Sequence, residues 1–252
     1  RGNMVAFENK PGRLYQTLEQ ASYETWSDGP FGRTGDEVNK TISYYDKGPV
    51  LGMLLDFKIR HETKNKSSLD DVMRALYKNY YQEKGRGYTE DEFRKVCESI
   101  AGVMLTEFFE YVYTVKEIDY AKYFAYAGLD IDTKAAALPG AWLGITVREK
   151  NDTVSISNVE WDSPAWHAGI RARQLLQLVN GKPVNIKVLE AIEKEKKPGD
   201  IVHLQVLQQD GIKDIPLLLE TKYQKPFTIN RVPQPTALQA AILKDWLRAK
   251  TD

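Results

Sequence analysis

Three histidines and one cysteine are the groups in this 252-residue sequence that metal or thiol chemistry would use. A hydrolytic zinc site needs imidazoles that converge. A helical His-Glu-x-x-His does this, because residues at i and i+4 share one face and the glutamate can act as base. His61-Glu62 opens such a phrase, but Thr63-Lys64-Asn65-Lys66 follows with no second histidine. His167 falls in a short helical stretch and His203 in a strand-like run, and no pair of the three has ligand spacing. No metal ligand is assigned, and His61 is expected to be an exposed residue at a helix end. Cys97 stands alone, so it forms neither an intramolecular disulfide nor a thiolate cluster; it is expected to be a small apolar residue on a helix. No Gly-x-Ser-x-Gly nucleophile elbow is present. The chain by itself is therefore expected to hold no catalytic zinc.

The elements that would position these groups divide the sequence in two. The first half reads as helices. Leu14, Leu18, Ala21 and Trp26 have helical spacing over 13–26, and the Gly-, Asp- and Asn-rich stretch 27–39 reads as an exposed loop. Residues 50–57 are apolar almost all round and predict a buried helix. Its start is open: Ser43 and Asp46 have capping-box spacing, while Pro49 fits best in a first turn. Ser68 with Asp71 and Thr89 with Glu92 predict two further helix starts. Helices are also expected near 105–114 and at 120–127, the latter ended by Gly128.

Beyond residue 132 strand-like runs take over, at 143–147, 154–159, 175–179, 202–207 and 215–219, with Asp210-Gly211 as a hairpin signal. Helical stretches near 165–168 and 186–194 interrupt them. Residues 222–236 look extended, and Leu238, Ile242, Trp246 and Leu247 mark a last amphipathic helix. The fold class expected is α+β and multi-domain.

Composition excludes several partners. Thirty-five basic residues balance thirty-five acidic ones, so no net field draws nucleic acid or an anionic membrane. No apolar run approaches the roughly 20 residues that span a bilayer. The sequence begins Arg1-Gly2-Asn3, lacks the shape of a signal peptide and reads as an internal start, which leaves any targeting signal of a full gene product open.

Ser163-Pro164-Ala165-Trp166-His167-Ala168-Gly169-Ile170, then an apolar run ending in Asn180-Gly181, then Pro198-Gly199-Asp200, resembles bacterial PDZ domains of the type attached to envelope proteases. Arg173-Gln174 departs from their usual Gly-Asp. The resemblance covers roughly residues 138–222. It implies a β-barrel or sandwich with two helices that binds a peptide by adding a strand to a sheet edge. It also implies a peptide C-terminal carboxylate held by backbone amides of the loop containing Trp142, Leu143, Gly144 and Ile145, with Leu189 and Ile192 lining the helix wall. A bulky residue at Gly144 is then expected to abolish binding. The same apolar residues would equally serve a core.

A second resemblance lies upstream. Pro11-Gly12-Arg13 with Gln16, Ser43-Tyr44-Tyr45-Asp46-Lys47-Gly48, Leu55-Asp56 with Ile59-Arg60, and Ser67-Ser68-Leu69-Asp70-Asp71 resemble the region after the zinc site in the glycyl aminopeptidase family of gluzincin metallopeptidases, whose members also carry a PDZ domain after this region. The resemblance implies zinc-assisted peptide hydrolysis in a full-length parent, with zinc ligands that this chain lacks. It further implies that Tyr45, in a phrase like Tyr-Glu-Lys-Gly, donates a hydrogen bond to the oxyanion, with Tyr44 as the fallback. The expected organisation is 1–134 as the helical C-terminal portion of a catalytic domain, 138–222 as the PDZ domain, and 223–252 as an extended segment and helix. The alternative is a non-catalytic PDZ interaction protein. A cell-envelope or secreted location follows only by analogy.

Overall fold

The computed structural model describes residues 1–27, 34–151 and 153–248. Helices come first: α1 (Gly2–Glu8), α2 (Leu18–Tyr23), α3 (Tyr44–Glu62), α4 (Leu69–Leu76), α5 (Glu90–Ala101), α6 (Thr106–Tyr113) and α7 (Tyr120–Tyr126). Two short strands, β1 (Leu129–Asp132) and β2 (Ala136–Ala137), lead into β3 (Ile145–Lys150), β4 (Thr153–Val159), α8 (Pro164–His167), β5 (Leu175–Val179), β6 (Lys182–Pro183), α9 (Ile186–Glu195), β7 (Ile201–Gln208) and β8 (Gly211–Leu218). The chain then leaves through β9 (Tyr223–Gln224) and β10 (Thr228–Arg231) to α10 (Ala237–Trp246).

α3 is the axle of the helical body and packs against α1, α2, α4, α5, α7 and α10. Val50, Leu51, Leu54, Leu55 and Ile59 are buried along it, as its all-round apolar pattern requires. Each such side chain, fully buried, contributes about 1.5–3 kcal/mol relative to exposure. Asp56 ties the next helix on: one carboxylate oxygen accepts from Leu69 N at 2.8 Å and the other from Arg60 Nε at 2.9 Å. The Leu55-Asp56 and Ile59-Arg60 phrases therefore serve packing. Thr89 and Glu92 exchange both bonds of a capping box at the head of α5.

Three local expectations give way to long-range contacts. The helix expected over 13–26 breaks into a 3₁₀ turn at Pro11–Leu14, then α2, then a second 3₁₀ turn at Glu24–Trp26. Gly12 lies so close to the Thr41 backbone that any Cβ would overlap it, and Thr17 starts a fresh helix with a capping box to Gln20. Trp26, expected on an apolar face, is 87% exposed. Within the expected exposed loop, Gly35–Lys40 forms a 3₁₀ turn with Asn39 buried; residues 28–33 lie outside the described part.

Pro49 is the sixth residue of α3, not a first-turn residue. Its missing N–H leaves the Tyr45 carbonyl without a helical donor. The Asn3 side chain supplies one, donating to Tyr45 O at 3.2 Å. Ser43 makes no side-chain cap, and the Asp46 carboxylate pairs with Lys10 Nζ at 3.2 Å instead.

The β-rich part is an antiparallel sheet in the order β3-β4-β5-β7-β8, with β6 on β5. Its core gathers Leu143, Ile156, Leu176, Val202, Leu204, Leu217 and others, separate from the helical core. The Asp210-Gly211 hairpin forms, pairing Gln208 with Gly211. Chain entry and exit are zipped together, since β1 pairs with β10 and β2 with β9. The exit strand returns to the helical body. Phe227 is fully buried there, its ring 5.4 Å from that of Tyr120, and Ile242 and Trp246 of α10 pack on Phe57. The 223–248 stretch is thus the closing piece of the helical body.

The two parts meet through the 3₁₀ turn. Asn39 Nδ2 donates to Val159 O at 2.7 Å, and its Oδ1 accepts from Trp161 N at 3.2 Å. The Asp36 carboxylate accepts from Ala172 N at 3.0 Å and Val159 N at 3.3 Å.

Candidate functional site

Two places bring chemistry-bearing residues to the surface. The first is the head of α3. Tyr44 and Tyr45 are its first two residues, and their rings lie 4.2 Å apart. Tyr45 is 71% exposed; Tyr44 is half-buried, and its phenol is held above the usual range chiefly by a hydrogen bond with Tyr45. The Tyr44 hydroxyl therefore stays a protonated donor at neutral pH. The free N–H groups and dipole of the first helical turn favour negative charge beside them.

Two residues later Lys47 is almost wholly buried, its ammonium 5.3 Å from the Phe7 ring centre. Burial lowers its pKa to about 8, with Glu8 pulling the other way. Glu8 is itself buried, accepting from Tyr120 Oη at 2.9 Å, with Arg13 at 3.7 Å and Lys225 at 3.6 Å. On the same helix Gly48 and Gly52 line an apolar cavity of about 430 Å³, walled by Leu18, Leu55, Phe93 and Phe109.

The histidines do not converge. His61 stacks on Tyr126 at 4.1 Å and is half-buried, not exposed as expected; burial lowers its pKa and favours neutral imidazole. His167 pairs with Asp162 at 2.9 Å and His203 with Asp214 at 3.1 Å. Among the described residues no group of three or more His, Cys, Asp or Glu is placed to hold a metal ion. Cys97 is fully buried, with its thiol pushed up to about 12 by burial, which leaves no thiolate to react.

The second place is the edge of the sheet. β3 pairs with β4 on one side only, and α9 packs alongside its other edge. Ile145, Leu143, Leu189 and Ile192 belong to one apolar cluster. Within it Leu143 and Leu189 are buried, so they form the floor, while Ile145 and Ile192 stay half-buried. The main-chain N–H of Trp142 donates to Glu220 O at 2.9 Å, Lys222 lies 5.6 Å from its ring, and its buried indole Nε1 has no hydrogen-bond partner among the described residues. Gly144 has φ +79°, and a Cβ there would overlap the side chain of Ser163, the cap of α8. The glycine is demanded by this packing, so a bulky residue at 144 disturbs the fold before it reports on any ligand.

Sequence reasoning missed Glu193. Its carboxylate, half-buried on α9, accepts from Leu143 N at 3.3 Å, and its main-chain carbonyl accepts from Ala141 N at 2.8 Å. No local pattern marks it, because its partners lie about fifty residues away. Asp36 and Asn39 were missed for the same reason.

A helical body closed by a returning strand and helix, carrying a small antiparallel sheet with two helices, describes a two-part protein with a peptide-binding type of module. The comparisons agree. Residues 1–51 match the family model for M61 glycyl aminopeptidase, and residues 133–207 match that of the PDZ domain. The chain therefore joins an M61 aminopeptidase-like segment to a PDZ domain.

The aminopeptidase N family protein from Idiomarina loihiensis has a similar fold across 95% of this chain and 43% of its own, with a TM-score of 0.75 at 19% identity. A probable CtpA-like serine protease from Staphylococcus aureus is 28% identical over 117 residues, covering 40% of this chain and 24% of its own length. The chain thus spans less than half of either relative. No helix among the described residues is long and apolar enough to cross a membrane.

Proposed function

We propose that this chain provides peptide recognition, and one transition-state hydrogen-bond donor, to a peptidase of the M61 type. The observation that carries the first part is the free edge of β3 facing α9. An extended peptide adds there as a further strand, its backbone pairing with β3 and its side chains resting on Ile145 and Ile192. The resemblance would place a terminal carboxylate at the amides of Leu143, Gly144 and Ile145, but the first of these is already bonded to Glu193. Tyr45, solvent-exposed at the head of α3, is the donor to the oxyanion, with Tyr44 beside it as the fallback. Zinc and its ligands belong in this reading to residues outside the chain. The chain alone is expected to show no aminopeptidase activity with added zinc; metal-dependent turnover that tracks it through purification would contradict that.

The groove is tested by titrating the ¹⁵N-labelled chain with a pool of random decapeptides. Amide shifts should concentrate in 145–150 and 186–195. Shifts confined to other surfaces, or none at all, remove the reading.

A further inference from the structure

The loop that should receive a peptide carboxylate already holds one from this chain. Leu143 N, the first loop amide, donates to Glu193 Oε1 at 3.3 Å. Glu193 is not a passing surface residue. Its main-chain carbonyl is bonded by Ala141 N, and Gly140 sits so close to that carbonyl that no side chain fits. Loop and helix end are thereby fastened together, with the glutamate between them.

The surrounding charges do not invite another anion. Glu160 and Glu190 both act on Glu193 with like charge, and Lys222 acts with opposite charge. The Lys222 ammonium is already held by Glu160 at 2.6 Å.

We propose that Glu193 occupies the anion position of the PDZ loop, so that the groove selects extended segments with no terminal carboxylate at the loop: chain-internal or carboxyl-blocked peptides. This rests on the groove reading above and makes it specific. For a peptidase the consequence is concrete. The groove then grips a stretch in the interior of a polypeptide, such as a partly unfolded protein, and not the cut ends of products. Glu193 is a specificity residue that touches the ligand and takes no part in bond cleavage.

Burial already holds the Glu193 carboxyl above the usual carboxylate range. Acidification therefore neutralises it while a peptide terminus, whose pKa lies near 3.5, is still charged. Discrimination against free carboxylates should weaken as pH falls.

The test uses the whole chain and two pools of the same random decapeptides, one ending in carboxylate and one in carboxamide. At about pH 7.5 the chain should retain the carboxamide pool roughly tenfold more strongly or better, the scale of like-charge exclusion. Glu193→Gln keeps an oxygen for Leu143 N and removes the charge. It should lift the carboxylate pool to within about threefold of the other. Stepwise acidification of the wild-type chain should narrow the gap in the same direction before the peptide terminus itself is neutralised, while the variant stays level. Equal or better retention of the carboxylate pool by the wild-type chain overturns the inference, as does a ratio unchanged in Glu193→Gln. Both outcomes leave the groove standing. Failure of both pools to shift β3 and α9 removes the groove and the inference together.

Discussion

Lys47 sets the sharpest expectation at the scale of single residues. Buried beside Phe7, it has a pKa of about 8 in the folded chain and its ordinary value of about 10.5 when unfolded. Between those values the unfolded chain binds more protons, so this residue makes stability rise with pH across the window and costs stability below it. Lys47→Met should stabilise the chain at pH 7 by up to about 3 kcal/mol, and the advantage should shrink towards pH 10.5. Urea unfolding of both proteins across that range reads the difference directly, and taking the difference cancels the titration of other groups. Tyr45 is the contrasting case. With its ring in solvent, Tyr45→Phe should change stability by less than about 0.5 kcal/mol. In an active protein containing this segment the same change should lower kcat by roughly 10²–10³. A fall in melting temperature beyond that small range would mark Tyr45 as a structural tyrosine.

Elements are held by close approaches that only certain residues permit. At the join of the PDZ loop and α8, Gly144 leaves room for Ser163, whose hydroxyl caps α8 by accepting from Trp166 N at 3.2 Å. Gly144→Ala combines a left-handed backbone angle with a direct overlap, and should cost roughly 3 kcal/mol or more. Hydrogen exchange should show the loss in the sheet and not in α3. Adding Ser163→Gly should return part of it by removing the colliding Cβ, even as the cap is lost. At the head of α5, Thr89→Ala removes one half of the capping box and should cost about 1 kcal/mol, measured as a shift in denaturation midpoint.

Across the whole molecule the PDZ domain sits between two parts of one helical core. The chain leaves that core at β1 and re-enters at β10 beside it. Asn9 fastens the return by bonding both the N–H and the carbonyl of Lys225, and Phe227 fills the core. Phe227→Ala should therefore destabilise the helical body by about 3–5 kcal/mol, although the residue follows the PDZ domain in sequence. Amide exchange should accelerate in α3 and α7 and stay slow in β7 and β8. Acceleration confined to the sheet would mean that the return segment belongs to the PDZ domain. A PDZ domain anchored at both ends and clamped by Asp36 and Asn39 is held in a set position against the head of the chain.

What the sequence determined alone is what depends on near neighbours. Thr89 with Glu92 caps a helix because three residues separate them, and Gly128 ends α7 because its backbone can turn left-handed. The strand runs and the Asp210-Gly211 hairpin follow from alternation and turn chemistry. The phrase around Ser163 was equally visible and its short helix lies where it indicated, while of the two starts left open for α3 the structure takes the one after Ser43. What tertiary structure decided rests on partners distant in the chain. The Thr41 backbone lies where any side chain at position 12 would have to go, Thr17 restarts the helix expected over 13–26, and Asn3 rescues the carbonyl that Pro49 strands. Ser163, not a ligand, dictates Gly144, and Glu193 reaches the Leu143 amide from a helix that its own sequence marks only as amphipathic. A local pattern records which conformation a segment prefers; which distant group will fill the space and the hydrogen bonds beside it is fixed only when the chain has closed on itself.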